Sequence, residues 1–397
     1  MASTEVIIIG AGAAGLMCAI EAGRRGRKVV VLDHARKPGN KIRMAGGGRC
    51  NFTNYDVSDE HYLSHNRHFV KSALSRFTQW DFIAMVQRHQ IPFHERDHGQ
   101  LFCDDSSRDI LDMLRAECRD ADVQIQLKSS IKKITRMPDG LFSVKTEGSS
   151  WLCESLVVAT GGLSIPTAGA TPFGYRIAEQ FGIKVWPPSA GLVPFTLQPD
   201  DKARIAPLSG IAVDARVSCS VASQDYSFRE NVLFTHRGLS GPAILQISNY
   251  WQPGESLTID WLPDMDFAAA LSEAALSHPK QQLKTYVSQV LPQRLVAQLL
   301  SEDLTTRELG RLSDSQIEQA EQALKQWQIK PAGTEGYRTA EVTRGGVDCN
   351  AISSKTLESQ DVAGLYFIGE VLDVTGWLGG YNLQWAWSSG WCAGQYV

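Results

Sequence analysis

Few of the features that classify a chain at a glance are present in these 397 residues. The eight cysteines (Cys18, Cys50, Cys103, Cys118, Cys153, Cys219, Cys349 and Cys392) are scattered, without a C-x-x-C pair. That spacing argues against a zinc site or a disulfide framework, so no metal is expected and a reducing compartment is the simpler setting. No apolar run approaches the ~18 residues that a membrane-spanning helix needs. Strand-like sequence begins at Val6 and leaves no room for a signal peptide ahead of it, which makes the cytoplasm the expected location. The positive excess of a general polyanion binder is missing too, since the net charge is −4; a local basic patch stays compatible with that balance. No internal repeat, low-complexity tract or flexible linker stands out. With 43% hydrophobic and 21% charged residues, the composition is that of a folded protein long enough for two or three domains.

What the chain does have is glycine at chosen places. Val6, Ile7, Ile8 and Ile9 form a continuous apolar run, the signature of a parallel strand covered on both faces. Gly10-Ala11-Gly12-Ala13-Ala14-Gly15 follows directly and opens a small-residue helix to about Arg24; Val29 to Leu32 form the next strand. In such a β-α-β unit Gly10 permits the tight turn, Gly12 lets the backbone approach a pyrophosphate, and Gly15 allows close helix–strand packing. The helix N-terminus, at Ala13 and Ala14, offers free N–H groups and partial positive charge to that phosphate. Asp33 ends the second strand 18 residues beyond Gly15, where a carboxylate accepts hydrogen bonds from ribose hydroxyls. A lone G-x-G-x-x-G is weak evidence, but strand, helix and terminal acid together point to a bound dinucleotide.

Three further segments favour FAD over NAD. The first, Lys41 to Asn54, contains Gly46-Gly47-Gly48-Arg49-Cys50-Asn51. Consecutive glycines cost backbone entropy, which is tolerable where another molecule touches the main chain. Arg49 and Lys41 are placed to offset pyrophosphate charge, and Asn51 to bond the flavin or its linker. The second is a buried strand running into Ala159-Thr160-Gly161-Gly162. The third is Leu365 to Ile368, ending in Gly369-Glu370 and followed by Asp373, Gly376 and Gly379-Gly380-Tyr381-Asn382. Glu370 at a strand end suits ribityl hydroxyls, and the Gly380-Tyr381-Asn382 turn suits a last helix whose N-terminus faces the N1/O2 edge of a flavin. Ile131 is also counted among the cofactor residues.

Elsewhere the pattern predicts helices over Lys71 to Arg88 and Ser107 to Cys118, and strands over Val123 to Leu127, Phe142 to Lys145 and Leu156 to Ala159. From Leu192 to Ile259, short alternating strands between Gly, Pro and Asp predict an antiparallel β domain. Asp266 to Trp327, rich in Ala, Leu, Gln and Lys, reads as a helical insert, and strand-like sequence returns at Ala340 to Val347.

The sequence resembles the YhiN/BaiN family of flavoproteins, which includes aminoacetone oxidase-like members. The resemblance is carried by GAGAAG, GGGRCNFTN (Gly46 to Asn54), ATGG (Ala159 to Gly162), FTHRGLSGP (Phe234 to Pro242), TAEVTRGG (Thr339 to Gly346) and FIGEVLDVTGWLGGYN (Phe367 to Asn382), and it spans essentially the whole chain. It implies an α/β fold: a discontinuous FAD-binding Rossmann-type domain (residues 1–190 and 340–397) with an inserted β-barrel-like domain (191–262 and 328–339) carrying a small helical subdomain (263–327). It also implies non-covalent FAD reduced by NAD(P)H. No second strand-GxGxxG-helix unit exists, so NAD(P)H is expected to dock only transiently near the flavin.

Catalytic candidates are His236 and Arg237, in the Phe234 to Pro242 junction, and Cys50 in the glycine-rich loop. Each has a plainer reading: a structural hydrogen-bonder for the histidine, a buried small apolar side chain for the cysteine. Glu341 and Arg344 are placed to line a cleft or to form a structural ion pair. The expected activity is reduction of an activated C=C bond by an FAD-dependent NAD(P)H oxidoreductase. Within the family, the chain is most similar to the group that forms dihydrouridine in large-subunit ribosomal RNA, so a uridine of 23S ribosomal RNA is the preferred substrate. Arg24, Arg25, Arg27 and Lys28, with Lys128, Lys132, Lys133 and Arg136, are the candidate basic patches for that RNA. The rival functions are an amine or aminoketone oxidase, an enone reductase acting on a small molecule, and a flavin-containing RNA-binding or ribosome-assembly protein. The oligomeric state is left open.

Overall fold

The computed structural model describes residues 2–397 and divides them into two compact units. The first comprises residues up to Ala190 together with Glu341–Val397, and the second is Gly191–Ala340.

The first unit is built on a five-stranded sheet in the spatial order Leu365–Phe367, Ser155–Val158, Val6–Ile9, Val29–Leu32, Gln124–Gln126. Every neighbouring pair is parallel, with Ile7 opposite both Val30 and Leu156, and Val157 opposite Tyr366. The four central residues Val6 to Ile9 are all buried, which is why the strand is apolar throughout and does not alternate. Helix Ala13–Arg24 packs along the last helix, Tyr381–Gly394. Glycine permits that approach. A Cβ on Gly390 would stand 2.4 Å from the Ala14 carbonyl oxygen, and one on Gly394 2.6 Å from Glu21 Cβ.

Trp385 and Trp387 of the last helix are fully buried and tied to other elements. Trp387 stacks on Phe82 (centroids 4.4 Å, planes 8° apart) and donates its indole N–H to Phe52 O at 2.9 Å. The single helix predicted over Lys71 to Arg88 is two, Val70–Arg76 and Gln79–Arg88. Thr78 and Asp81 form a reciprocal capping box that starts the second helix afresh, while Phe77 is extended.

The second unit has its own core and a seven-stranded antiparallel sheet ordered Trp327–Ile329, Leu257–Asp260, Ala212–Val221, Gln224–Phe234, Gly238–Ser240, Phe195–Leu197, Pro331–Thr334. Its two outer strands are separated in sequence by Lys330 alone. The two edge strands of the sheet therefore approach each other at that residue. Helices Phe267–Ser277, Leu283–Val287, Gln293–Leu299, Glu302–Thr306 and Asp314–Lys325 add to the same core. Among the described residues no helix is long and apolar enough to cross a membrane, and no cluster of His, Cys, Asp and Glu is arranged to hold a metal ion.

Candidate functional site

The opening turn is shaped by what surrounds each glycine. Gly10 has φ +113°, and a Cβ there would lie 2.3 Å from the Ala159 carbonyl oxygen; one on Gly15 would lie 2.0 Å from Gly10 O. Gly12 differs, since a Cβ on it would meet nothing within 4 Å. It sits at the N-cap of the first helix, and no side chain caps that end. The first N–H groups of the helix, at Ala13 and Ala14, thus open onto clear space with the helix dipole behind them, an arrangement suited to a phosphate. Asp33 ends the second strand as expected. Its carboxylate already accepts from Ala11 N–H and Ala35 N–H, both at 2.7 Å. A carboxylate has about four acceptor positions, so room is left for a ribose hydroxyl. Ile131 starts its strand close by in the chain, just beyond Ser129, whose N–H donates to Asp33 O at 2.8 Å.

A compact polar cluster joins four remote segments beside this turn. Lys41 Nζ lies 2.5 Å from Glu370 Oε2 and donates to Ser164 Oγ at 2.8 Å. Ser164 Oγ donates to Glu370 Oε1 at 2.9 Å, and the Thr343 N–H donates to the same oxygen at 3.0 Å. Thr343 Oγ1 in turn accepts from the N–H groups of Leu163 and Ser164. Burial works to raise the Glu370 carboxyl, but Lys41 and the hydrogen bonds outweigh it and hold the group below the usual carboxylate range. The charge of Lys41 is thus answered by Glu370. Glycines 161 and 162 allow the turn to pass over this carboxylate: a Cβ on Gly162 would stand 2.8 Å from Glu370 Oε1 and 2.4 Å from Thr343 Oγ1. Thr160 packs under Gly174, where a Cβ would come within 2.1 Å of its hydroxyl.

The Gly369–Glu370 turn is held from behind by the last helix. Trp385 donates its indole N–H to Gly369 O at 3.1 Å, and Gly369 N–H donates to Ser389 Oγ at 3.0 Å. Like the first helix, the last has a glycine N-cap, Gly380, and no side-chain cap. Gly380 has φ +96°, and a Cβ on it would lie 2.5 Å from the Thr53 carbonyl. Asn51 ties the glycine-rich loop to this point, its amide oxygen accepting from Gly380 N–H at 3.1 Å while its NH2 donates to Thr53 O and Leu101 O. The side chain of Asn382 bonds both the N–H and the C=O of Gly376, and Tyr62 donates to Tyr381 O. These asparagines organise the turn at the start of the last helix. In the loop itself Gly47 has φ +65° and open space at its Cβ position, and Arg49 is exposed.

The catalytic candidates are placed less favourably. Cys50 is fully buried at φ 51°, and burial, with Cys103 next in importance, pushes its thiol well above the usual value. A thiol so placed is shut off from solvent and packs as a small apolar group. His236 and Arg237 belong to the second unit, whereas every cofactor candidate belongs to the first. His236 is exposed on the turn after Gln224–Phe234, and Arg237 pairs with Glu335 at 3.1 Å. The first basic run is largely spent on local partners. Arg24 pairs with Glu21 and Glu117, Arg27 with Glu5 and Glu154, and Arg25 donates to Gly394 O and Val397 O.

A family described as "HI0933-like protein Rossmann domain" matches residues 4–396. The chain belongs to this HI0933-like family. Two relatives, from Escherichia coli (strain K12) and Haemophilus influenzae (strain ATCC 51907 / DSM 11121 / KW20 / Rd), are named ribosomal RNA dihydrouridine synthase. The first is 53% identical over 98% of this chain and 97% of its own, the second 52% identical over 97% and 96%. A more distant relative, 28% identical over 98% of this chain and 97% of its own, is a 3-dehydro-bile acid delta(4,6)-reductase from Clostridium scindens (strain ATCC 35704 / DSM 5676 / VPI 13733 / 19). Ser164 and Thr343 bond Glu370, and Trp385 and Ser389 bond Gly369 beside it; the sequence alone pointed to none of these four. Ser164 lies two residues beyond the ATGG stretch and Thr343 within TAEVTRGG, the signal that could have found them.

Proposed function

We propose that this chain converts a uridine of large-subunit ribosomal RNA to dihydrouridine, as an FAD-dependent oxidoreductase with NAD(P)H as its transient reductant. The observation that carries the reading is 53% identity, over nearly the whole of both chains, to a protein named ribosomal RNA dihydrouridine synthase. The polar geometry of the first unit supports FAD as the cofactor. Gly10, Gly12, Gly15 and the N–H groups of Ala13 and Ala14 would take the pyrophosphate, Asp33 and the main chain near Ile131 the adenosine. Glu370, steadied by Lys41, would take ribityl hydroxyls, with Gly47, Arg49, Asn51, Thr160, Gly161 and Gly369 around the linker and ring. The uncapped N-terminus at Gly380, Tyr381 and Asn382 would meet the pyrimidine edge of the flavin and stabilise negative charge there. Reduced FAD supplies a hydride; uracil C6, electron-poor through conjugation with C4=O, is the position to receive it, and C5 then needs a proton from a positioned acid.

The test is dihydrouridine content of large-subunit ribosomal RNA from cells with and without the gene, repeated with purified protein, FAD and NADPH on an unmodified transcript. Loss of the modification without the gene, and its formation in vitro, is the expected result. Unchanged dihydrouridine in both assays overturns the reading. The 28% identity to the bile acid reductase favours one second reading, a small-molecule enone reductase. Reduction of a steroid dienone by protein that leaves RNA untouched would select it.

A further inference from the structure

Trp186 is held differently from Trp385 and Trp387. Its indole N–H has no acceptor among the described residues, so the ring is fixed by its two faces. The His65 imidazole lies on one face, with centroids 3.7 Å and planes 5° apart. Lys184 Nζ stands 3.2 Å from the centre of the indole. Rings so close leave no room for an ammonium between them, so Lys184 occupies the other face, as a cation–π partner. Lys184, Trp186 and His65 thus form a three-layer stack within the first unit.

Both rings are anchored from behind. The buried Asp373 carboxylate lies 2.8 Å from His65 Nδ1 and accepts the His65 main-chain N–H at 2.8 Å, which fixes the plane of the imidazole. The strand Tyr62–Leu63 that leads to His65 pairs with Thr375–Gly376. Trp186 belongs to the strand Val185–Gly191, whose main chain presses on Val342–Val347: a Cβ on Gly345 would stand 3.0 Å from Trp186 O. Through Asp373 and Thr375 the stack is attached to the segment that carries Glu370 and runs into the last helix.

His65 nevertheless keeps 50% of its side-chain surface open. Trp186 covers one face and Asp373 the Nδ1 edge, so the open half is the opposite face and the Nε2 edge. The charge around that face is positive. Arg67 and Lys184 are exposed and have no carboxylate partner among the described residues. The acids beside them are buried and engaged. Asp373 holds His65, and Asp348, whose N–H donates to Lys184 O, accepts from Asn350 N–H at 3.0 Å. A rigid flat ring with one bare face, flanked by free cations, is the combination that holds single-stranded nucleic acid: bases stack and phosphates meet Lys and Arg.

We propose that this stack is an RNA-binding platform. A base of the RNA other than the reduced uridine lies on the outer face of His65, and Arg67 and Lys184 meet the adjoining phosphates. The inference rests on the reading of the chain as a uridine reductase and adds how the RNA is gripped. Every base has a flat face to stack, so the platform selects unpaired RNA rather than a sequence.

The test is the affinity of FAD-loaded protein for an unmodified large-subunit RNA transcript, measured at several salt concentrations. His65→Ala should weaken binding by about 5- to 150-fold, the worth of one base–aromatic stack. His65→Phe, which keeps a ring without the bond to Asp373, should restore most of it. Lys184→Gln and Arg67→Gln should each flatten the slope of log affinity against log salt by about 0.7. Bound flavin, melting temperature and the rate of flavin reduction by NADPH should stay at wild-type values throughout. Wild-type affinity in His65→Ala together with wild-type salt dependence in the two cation variants overturns the proposal. So does a loss in His65→Ala that His65→Phe leaves unrepaired. A raised NADPH requirement with unchanged RNA binding would assign the face to the coenzyme's adenine and overturn it equally. If wild-type protein binds the transcript but forms no dihydrouridine, the uridine reading fails by itself, and the same variants still decide the platform.

Discussion

The first and last helices of the first unit both begin on glycine with no side-chain cap, yet the glycines do different work. At Gly12 the backbone is ordinary for any residue (φ −89°, ψ −170°), and the space where a side chain would go is clear. At Gly380 the backbone is left-handed and the same space is filled by the Thr53 carbonyl, from a strand 327 positions earlier in the chain. Gly12 keeps room for something that is not protein. Gly380 keeps room for the protein itself, so that Asn51 and Thr53 can close on the start of the last helix.

The difference can be broken by one pair of variants. Gly380→Val should cost about 3 kcal/mol of stability from left-handed strain and overpacking, and flavin should be lost with the fold. Gly12→Val should abolish flavin retention while apoprotein stability stays within about 1 kcal/mol of wild type. Thermal unfolding of the two apoproteins decides it: if Gly12→Val melts as low as Gly380→Val, the distinction is wrong. The next effect is smaller. Asp33→Ala should weaken FAD binding by about 1–3 kcal/mol, the scale of lost charge-assisted hydrogen bonds, as read by flavin titration; unchanged affinity would show that the ribose is held elsewhere.

Lys41→Met should cost about 1–2 kcal/mol by leaving the Glu370 carboxylate half-buried without its counter-charge. The acid limb sharpens the same point. The folded protein holds the Glu370 carboxyl below its unfolded value of about 4.3. Its stabilising contribution is therefore complete above that value and is lost as pH falls through the lower folded one. Melting temperatures between pH 6 and 3 should decline less steeply in Glu370→Gln than in wild type. The smallest effect is expected in the second unit, where His236→Ala should change stability by less than about 0.5 kcal/mol and leave bound flavin unaltered. A loss of flavin in that variant would mean that the comparison has been drawn within too small a region.

The opening β-α-β unit was legible because everything that makes it is consecutive: a buried apolar strand, a glycine turn, a helix start and an acid at the end of the next strand. The glycine-rich segments at residues 46–48, 161–162 and 379–380 were legible as places where the main chain is approached closely, but not as to what approaches it. At Gly162 it is Thr343 and Glu370; at Gly380 it is Thr53. Lys41 read as a pyrophosphate counter-charge, and the fold pairs it with Glu370, 329 positions away. Asn51 read as a flavin ligand, and its side chain fastens the loop to the last helix. The break between the helices at Phe77 was written in Thr78 and Asp81 and was missed because the apolar pattern runs on through it.

Local order alone thus determined the apolar core strand, the phosphate-type turn and the acid that ends the next strand, since each is written in residues adjacent in sequence. Which polar side chains remain available to a ligand, and which are consumed in holding the site together, was decided only by tertiary structure. A hydrogen bond is settled by position in space, and the partners of Lys41, Ser164 and Glu370 are brought within 3 Å by folds of chain that no local pattern records.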